Sequence, residues 1–322
     1  MSQIISHQMN AHGLYACVTN YGASLQDLRL NSHDMPLVLG LTAPEDYASH
    51  NAHMGATAGR YANRIAGGSV VIDGQAHQLD RNEGGKNTLH GGRKGCGTAL
   101  WDMIEAGENY AIFCLEESDG HMGFPGAVRY LCHYEIMANA TLAISYEAST
   151  TATTFINLAH HSYFRLDEQT DISGHELQIQ ACHYLPVDEL NLPDGRIMPV
   201  ANTAFDFTKR TPIGRREFDH NFCLTPADEM RQIARLYSPH SGIEMVLCSD
   251  QAGLQFYTAH HLDERAPNHH GRAYGAFDGI CLEPQNWPNS PHMKDAPSSL
   301  LRPDETYRQK LTLQFSHKAG QQ

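Results

Sequence analysis

The 322-residue sequence predicts an all-β protein, a large antiparallel β-sandwich, on three observations. Apolar and polar residues alternate along much of the chain, the mark of strands with one buried face. A turn signal of the kind that joins antiparallel strands lies between two apolar-rich runs. No repeat, low-complexity tract or linker-like shift in composition divides the chain. Sandwiches often exceed two hundred residues as one unit, so residues 1–322 are expected to form a single domain.

The elements read in order as follows. In "SVVIDGQAHQL" the pair Asp73-Gly74 separates two strand-like runs, and such pairs favour hairpin turns because those turns need positive φ. Tyr130, Cys132, Tyr134 and Ile136 alternate, as do Leu142, Ile144 and Tyr146, and near the C-terminus Leu311, Leu313 and Phe315. "LPVDELNLPDGRIMPV" is a loop punctuated by proline and glycine. "DEMRQIARLY" carries Met230, Ile233, Ala234 and Tyr237 at helical spacing, yet precedes the turn "SPHSG" and the strand-like "IEMVLCSD". It fits a short helix or a hairpin arm equally.

Composition excludes several function classes. A formal net charge of −13 with no basic run argues against nucleic acid, whose phosphates need clustered Lys and Arg. No stretch approaches the length of a membrane span, and "MSQIISHQMNAHG" lacks the basic flank and apolar run of a secretory signal. The eight cysteines are scattered, with no CxxC or metal-finger spacing. They are expected to be reduced core residues of a cytoplasmic protein. The paired histidines His160-His161, His260-His261 and His269-His270 invite a metal reading, but no HExxH, HxH or structural-zinc spacing accompanies them. Oligomeric state is not legible.

Polar islands interrupt the alternation: "GATAGRYANRIAGG", "NTLHGG", "NLAHHSYF", "FDHNFCL", "GLQFYT" and "CLEPQNWPNSPH". Six islands in this order, over some nine-tenths of the chain, resemble the aldose 1-epimerase family, the galactose mutarotases, which interconvert α and β anomers of free hexoses. "NYGASLQDLRL" and the loop at 185–200 are also similar to that family. The resemblance implies a sandwich of the galactose mutarotase-like type with an open cleft, a small monosaccharide substrate, no cofactor and no metal. Position by position it implies Asn63, Arg64, His90, Asp219 and Gln255 as sugar-binding residues and His161 and Glu283 as catalytic ones. The family's histidine before Ser-Tyr-Phe falls on His161, while His160 occupies a position often held by asparagine. One stretch departs from the pattern: after "LHGG" this chain reads "RKGCGTALWD" where relatives carry an aromatic and an acidic residue before the tryptophan.

Each residue alone has a plainer reading. His161 would be a satisfied core histidine, Glu283 beside Pro284 a strand end, Asp219 and Asn221 turn formers, and Asn63 and Arg64 a turn or surface ion pair. The islands together favour chemistry. Opening a cyclic hemiacetal needs a proton taken from the anomeric hydroxyl and one delivered to the ring oxygen, tasks that suit a carboxylate and a histidine. On this reading Glu283 is the base and His161 the acid, with nearby Glu283 or Asp219 expected to favour the imidazolium. Asp219 would clamp sugar hydroxyls, and Phe256 or Trp287 would be either an apolar platform or plain core. The alternatives are a two-carboxylate glycosidase using Asp219 and Glu283 and a non-catalytic sugar-binding module; retention of both His161 and Glu283 counts against the latter.

Overall fold

The computed structural model describes residues 3–50, 52–225 and 229–317. Its largest sheet has nine strands, in the spatial order Thr211–Pro212, Glu176–Ile179, Arg231–Tyr237, Ile243–Ser249, Tyr307–His317, Thr141–Thr150, Val128–Met137, Tyr110–Glu117 and Asp102–Ala106. A six-stranded sheet runs Tyr163–Phe164, Ile280–Gln285, Gly253–Tyr257, Asp219–Cys223, His183–Tyr184 and Met198–Pro199. Strand pairing within both is antiparallel. This is the β-sandwich that the alternation predicts.

The alternating residues supply the core. Tyr130, Tyr134, Ile144 and Leu311 of the larger sheet pack in one cluster with Phe222, Leu254, Phe256 and Leu282 of the smaller, and Leu14, Leu25 and Leu28 of an N-terminal three-stranded sheet join them. Phe256 is fully buried and stacks on Phe218 at 4.9 Å. It belongs to the core and forms no sugar platform; its truncation to alanine would cost about 3–5 kcal/mol. Trp287 likewise packs with Leu185 and Met293 and donates its ring N–H to the Ala252 carbonyl.

The six-stranded sheet is buried on both faces along Ile280–Gln285. Because side chains alternate across a strand, Leu282 faces the core while Cys281 and Glu283 face the other way. Register extends that second face sideways: Glu283 lies opposite Gln255, Gln255 opposite Asn221, Cys281 opposite Tyr163 and Tyr257, and Tyr257 opposite Asp219. Every polar island on this sheet therefore presents its functional residue on one surface.

Local details follow the sequence, and the segment that fits helix or hairpin arm equally proves to be the arm. Asp73 and Gly74, at φ 50° and 79°, turn the hairpin between Ser69–Ile72 and Gln75–Gln78, which matches a turn with two positive φ values. "DEMRQIARLY" is no helix: Arg231–Tyr237 is a strand with a register shift between Gln232 and Ala234, while Asp228 lies outside the described residues. The bulge turns the consecutive Ile233 and Ala234 both inward, which imitates helical spacing. Among the described residues no helix is long and apolar enough to cross a membrane, and all eight cysteines are free, with Cys182 exposed and five buried.

Candidate active site

A cleft of about 510 Å³ opens over the second face of the six-stranded sheet, with Asp219, Tyr257, Tyr163 and Glu283 on its floor. Loops bring the remaining islands to it. The short strand Arg64–Ile65 pairs with Thr88–Leu89, so "ANRI" and "LHGG" meet. Asn63 and His90 both have left-handed backbones, φ 61° and 49°. The His90 N–H donates to the Asn63 carbonyl at 3.0 Å, and the Asn63 N–H donates to His90 Nδ1 at 3.2 Å. Since Nδ1 accepts, a neutral His90 carries its proton on Nε2. Gly91 is obligatory beside it: φ is +82°, and a Cβ there would lie 2.2 Å from the Gly59 carbonyl oxygen.

His161 follows the strand Ala159–His160, which pairs with Thr57–Ala58. Its N–H donates to the Ala56 carbonyl and its carbonyl accepts from Gly55, both at 2.9 Å, which fixes the ring over the floor. His160 points elsewhere. It is buried near Tyr134, and its Nε2 lies 2.7 Å from Ser162 Oγ.

Arg64 is oriented by Glu83, with Nε to carboxylate oxygens at 2.9 and 3.1 Å, and its Nη1 lies 3.5 Å from Asp219 Oδ2. The Asn63 side-chain oxygen accepts the Arg64 N–H at 2.9 Å, leaving its amide N–H₂ as a donor. Gln255 does not line the main cleft. Its Nε2 donates to Asp219 Oδ1 at 2.6 Å, so it stands behind Asp219 and holds it.

Glu283 and His161 form the centre. Glu283 Oε2 lies 3.8 Å from His161 Nε2, both side chains are nearly inaccessible, and that oxygen has no hydrogen-bond partner among the described residues. Burial raises the Glu283 carboxyl well above the usual range; Asp219 adds to the rise and Arg64 opposes it. Burial also lowers His161 to about 3, with His53 reinforcing the effect. This reverses the sequence expectation that neighbouring carboxylates hold the imidazolium, because the cost of burying a charge outweighs the attraction of a carboxyl that is itself kept neutral. Burial thus favours a protonated Glu283 beside a neutral His161. His161, Cys281 and Glu283 also place ligand atoms within 4.8 Å of one another, and a soft divalent ion held there would occupy both groups able to move protons.

The structure gathers Asn63, Arg64, His90, His161, Asp219 and Glu283 around one cleft. It adds residues that the sequence reading passed over. Tyr163 and Tyr257 sit within the quoted islands, and Tyr257 shares the parity of Gln255, so period two was a usable signal. Asn191, from the family-like loop at 185–200, lines the same cleft, as do His53 and the loop from His261 to Arg265, which no motif marks.

With this geometry in hand, the likeness to known proteins becomes specific. A family model described as aldose 1-epimerase matches residues 6–314. Galactose mutarotase of Rattus norvegicus is 36% identical over 321 residues, covering 96% of this chain and 93% of that protein. Aldose 1-epimerase of Escherichia coli K12 is 31% identical over 324 residues, covering 95% and 93%. Among solved structures, an aldose epimerase homologue from C. elegans superposes with a TM-score of 0.92 at 26% identity, covering 98% of this chain and 99% of its own. Galactose 1-epimerase from Lactobacillus acidophilus gives 0.85 at 28% identity, covering 98% and 100%. The chain belongs to the aldose 1-epimerase family.

Proposed function

We propose that the protein is a mutarotase that opens and recloses the ring of free aldohexoses such as galactose and glucose. The observation that carries this is the buried pair Glu283 and His161, 3.8 Å apart on the cleft floor. A hemiacetal carbon bears both the hydroxyl and the ring oxygen, so the two proton-moving groups must lie this close together. Glu283 takes the proton from the C1 hydroxyl while His161 protonates the ring oxygen, and the ring C–O bond breaks to leave the aldehyde. That step starts from a Glu283 carboxylate and a His161 imidazolium, formed when the proton that burial keeps on Glu283 in the empty cleft passes to His161 as the sugar binds, and it ends with Glu283 protonated and His161 neutral. After rotation about C1–C2 the reversed transfers close the ring as the other anomer. A single proton serves both directions, and no bond to the protein forms.

Arg64, the Asn63 amide and His90 Nε2 supply donors, and Asp219 an acceptor, for the sugar hydroxyls. An unpaired buried polar group costs about 1–3 kcal/mol, enough to select stereochemistry. Asp219 is held by Gln255 and faces Arg64, which suits a clamp better than the nucleophile a glycosidase would need. The eight free cysteines fit a reducing cytoplasmic setting, and a core cluster running from Met9 to Phe315 fits a single domain. Polarimetry of freshly dissolved α-galactose, α-glucose and L-arabinose tests the reading. Catalysed approach to equilibrium rotation with at least one aldose is expected; none with any of them would refute it.

A further inference from the structure

His53 lies in the cleft wall in a triangle with His90 and His161, its ring centroid 4.9 Å from the first and 6.2 Å from the second, while those two are 5.3 Å apart. Its backbone is left-handed, φ 51°. The Nδ1 atom is buried without a hydrogen-bond partner, and a Cβ built on Gly97 would stand 3.0 Å from it. Neither ring nitrogen bonds to any described residue. A ring kept only for packing needs no nitrogen, and an imidazole has a hydrogen-bonding capacity at each of its two. With Nδ1 closed off against Gly97, Nε2 is the nitrogen left to meet a ligand.

Gly97 belongs to "RKGCGTAL", the stretch that departs from the family pattern. Its φ lies outside the left-handed region, so the missing side chain serves space and not backbone freedom. The loop's departure and the imidazole at position 53 are thus two halves of one contact. Burial, with His50 nearby, holds His53 neutral at physiological pH by lowering it to about 4. A neutral imidazole can donate to a hydroxyl or accept from one, whichever nitrogen carries the proton.

We propose that His53 is a sugar-binding residue of this cleft, hydrogen-bonding one substrate hydroxyl from the wall it shares with His90 and His161. The inference rests on the aldose reading of the site and assigns a contact that the polar islands do not. It makes His53 and Gly97 joint determinants of which aldose fits.

The test is polarimetric kinetics of the full chain and of His53→Phe, which keeps a ring of similar breadth, on galactose and on its 2-, 3-, 4- and 6-deoxy analogues. KM for galactose should rise about 3- to 10-fold, the loss of one neutral hydrogen bond, with kcat within about twofold. One deoxy analogue, penalised in the parent, should lose that penalty in His53→Phe, and it names the hydroxyl. Gly97→Ala, which crowds Nδ1, should raise KM in the same direction. Thermal melts check folding, and if His53→Phe is unfolded, His53→Gln and Gly97→Ala carry the comparison. An active parent with unchanged KM and every deoxy penalty retained in the folded variants overturns the assignment alone. So does a fall in kcat at constant KM, which would move His53 into the proton-transfer machinery. A parent that mutarotates no aldose overturns the aldose reading, and this inference with it.

Discussion

Glu117→Gln removes the anion from a buried ion pair that anchors the polypeptide just before Asn63 and Arg64. Arg60 and Glu117 have side chains only 1% and 4% exposed, and Glu117 Oε2 accepts from Arg60 Nε and Nη2 at 3.1 and 3.0 Å and from the Tyr130 hydroxyl at 2.8 Å. Arg60 Nη1 donates separately to the carbonyls of Pro125 and Gly126 and to Thr154 Oγ1. In the glutamine variant those bonds remain, but the guanidinium charge stays buried without its counter-ion, which costs about 3–5 kcal/mol. With an unfolding entropy of about 2.1 cal/mol/K per residue over 322 residues, Tm should fall by about 4–7 °C. Differential scanning calorimetry reads this directly. The double variant Arg60→Met, Glu117→Leu should lose less than Glu117→Gln, since removing both charges leaves none uncompensated. A Tm shift below about 1 °C for the single variant, or a double variant worse than the single, would refute the claim that this pair is held by mutual compensation.

Two further outcomes are expected. His160→Asn should keep turnover within about a few-fold of the parent and lose about 1 kcal/mol with the Ser162 contact, whereas His161→Asn should lower turnover by about a hundredfold or more; equal losses would show that the pair acts jointly. Acid should destabilise the fold steeply, because among the cleft histidines and their neighbour His160 burial lowers His160 and His161 to about 3, His53 to about 4 and His90 well below its ordinary value. The unfolded chain binds these four protons as pH drops through about 6.5 while the folded chain does not, so stability is present above that pH and lost below it. Glu283, raised in the fold, binds its proton more tightly folded than unfolded and opposes the trend by one. The net of three protons corresponds to about 4 kcal/mol per pH unit, and a Tm constant from pH 7 to 4.5 would contradict it.

What sequence could reveal depended on whether the signal was local. The turn at Asp73-Gly74 and the inward row Tyr130, Cys132, Tyr134, Ile136 are set by neighbours within a few residues, and both stand in the structure as read. Arg231–Tyr237 stays open between helix and hairpin arm in the sequence because a bulge is a property of pairing with Ile243–Ser249, and one inserted residue makes period two look helical. At the site, the resemblance pointed to residues that the fold brings to one cleft, but it could not separate Gln255, behind Asp219, from residues that face the sugar space. His53 meets His90 and His161 through contacts spanning 37 and 108 positions, respectively, with no motif around it. Nor could composition indicate how deeply Glu283 and His161 are buried, and that depth decides which of them carries the proton.

The central claim is that Glu283 moves the anomeric hydroxyl proton. Glu283→Gln keeps the size of the side chain and the cleft but cannot exchange a proton, so polarimetry on α-galactose measures that step alone. The predicted result is a folded variant with KM near the parent value and kcat lower by about 10²–10⁴, or roughly 3–5 kcal/mol of barrier. A folded Glu283→Gln that mutarotates galactose at close to the parent rate would contradict the account.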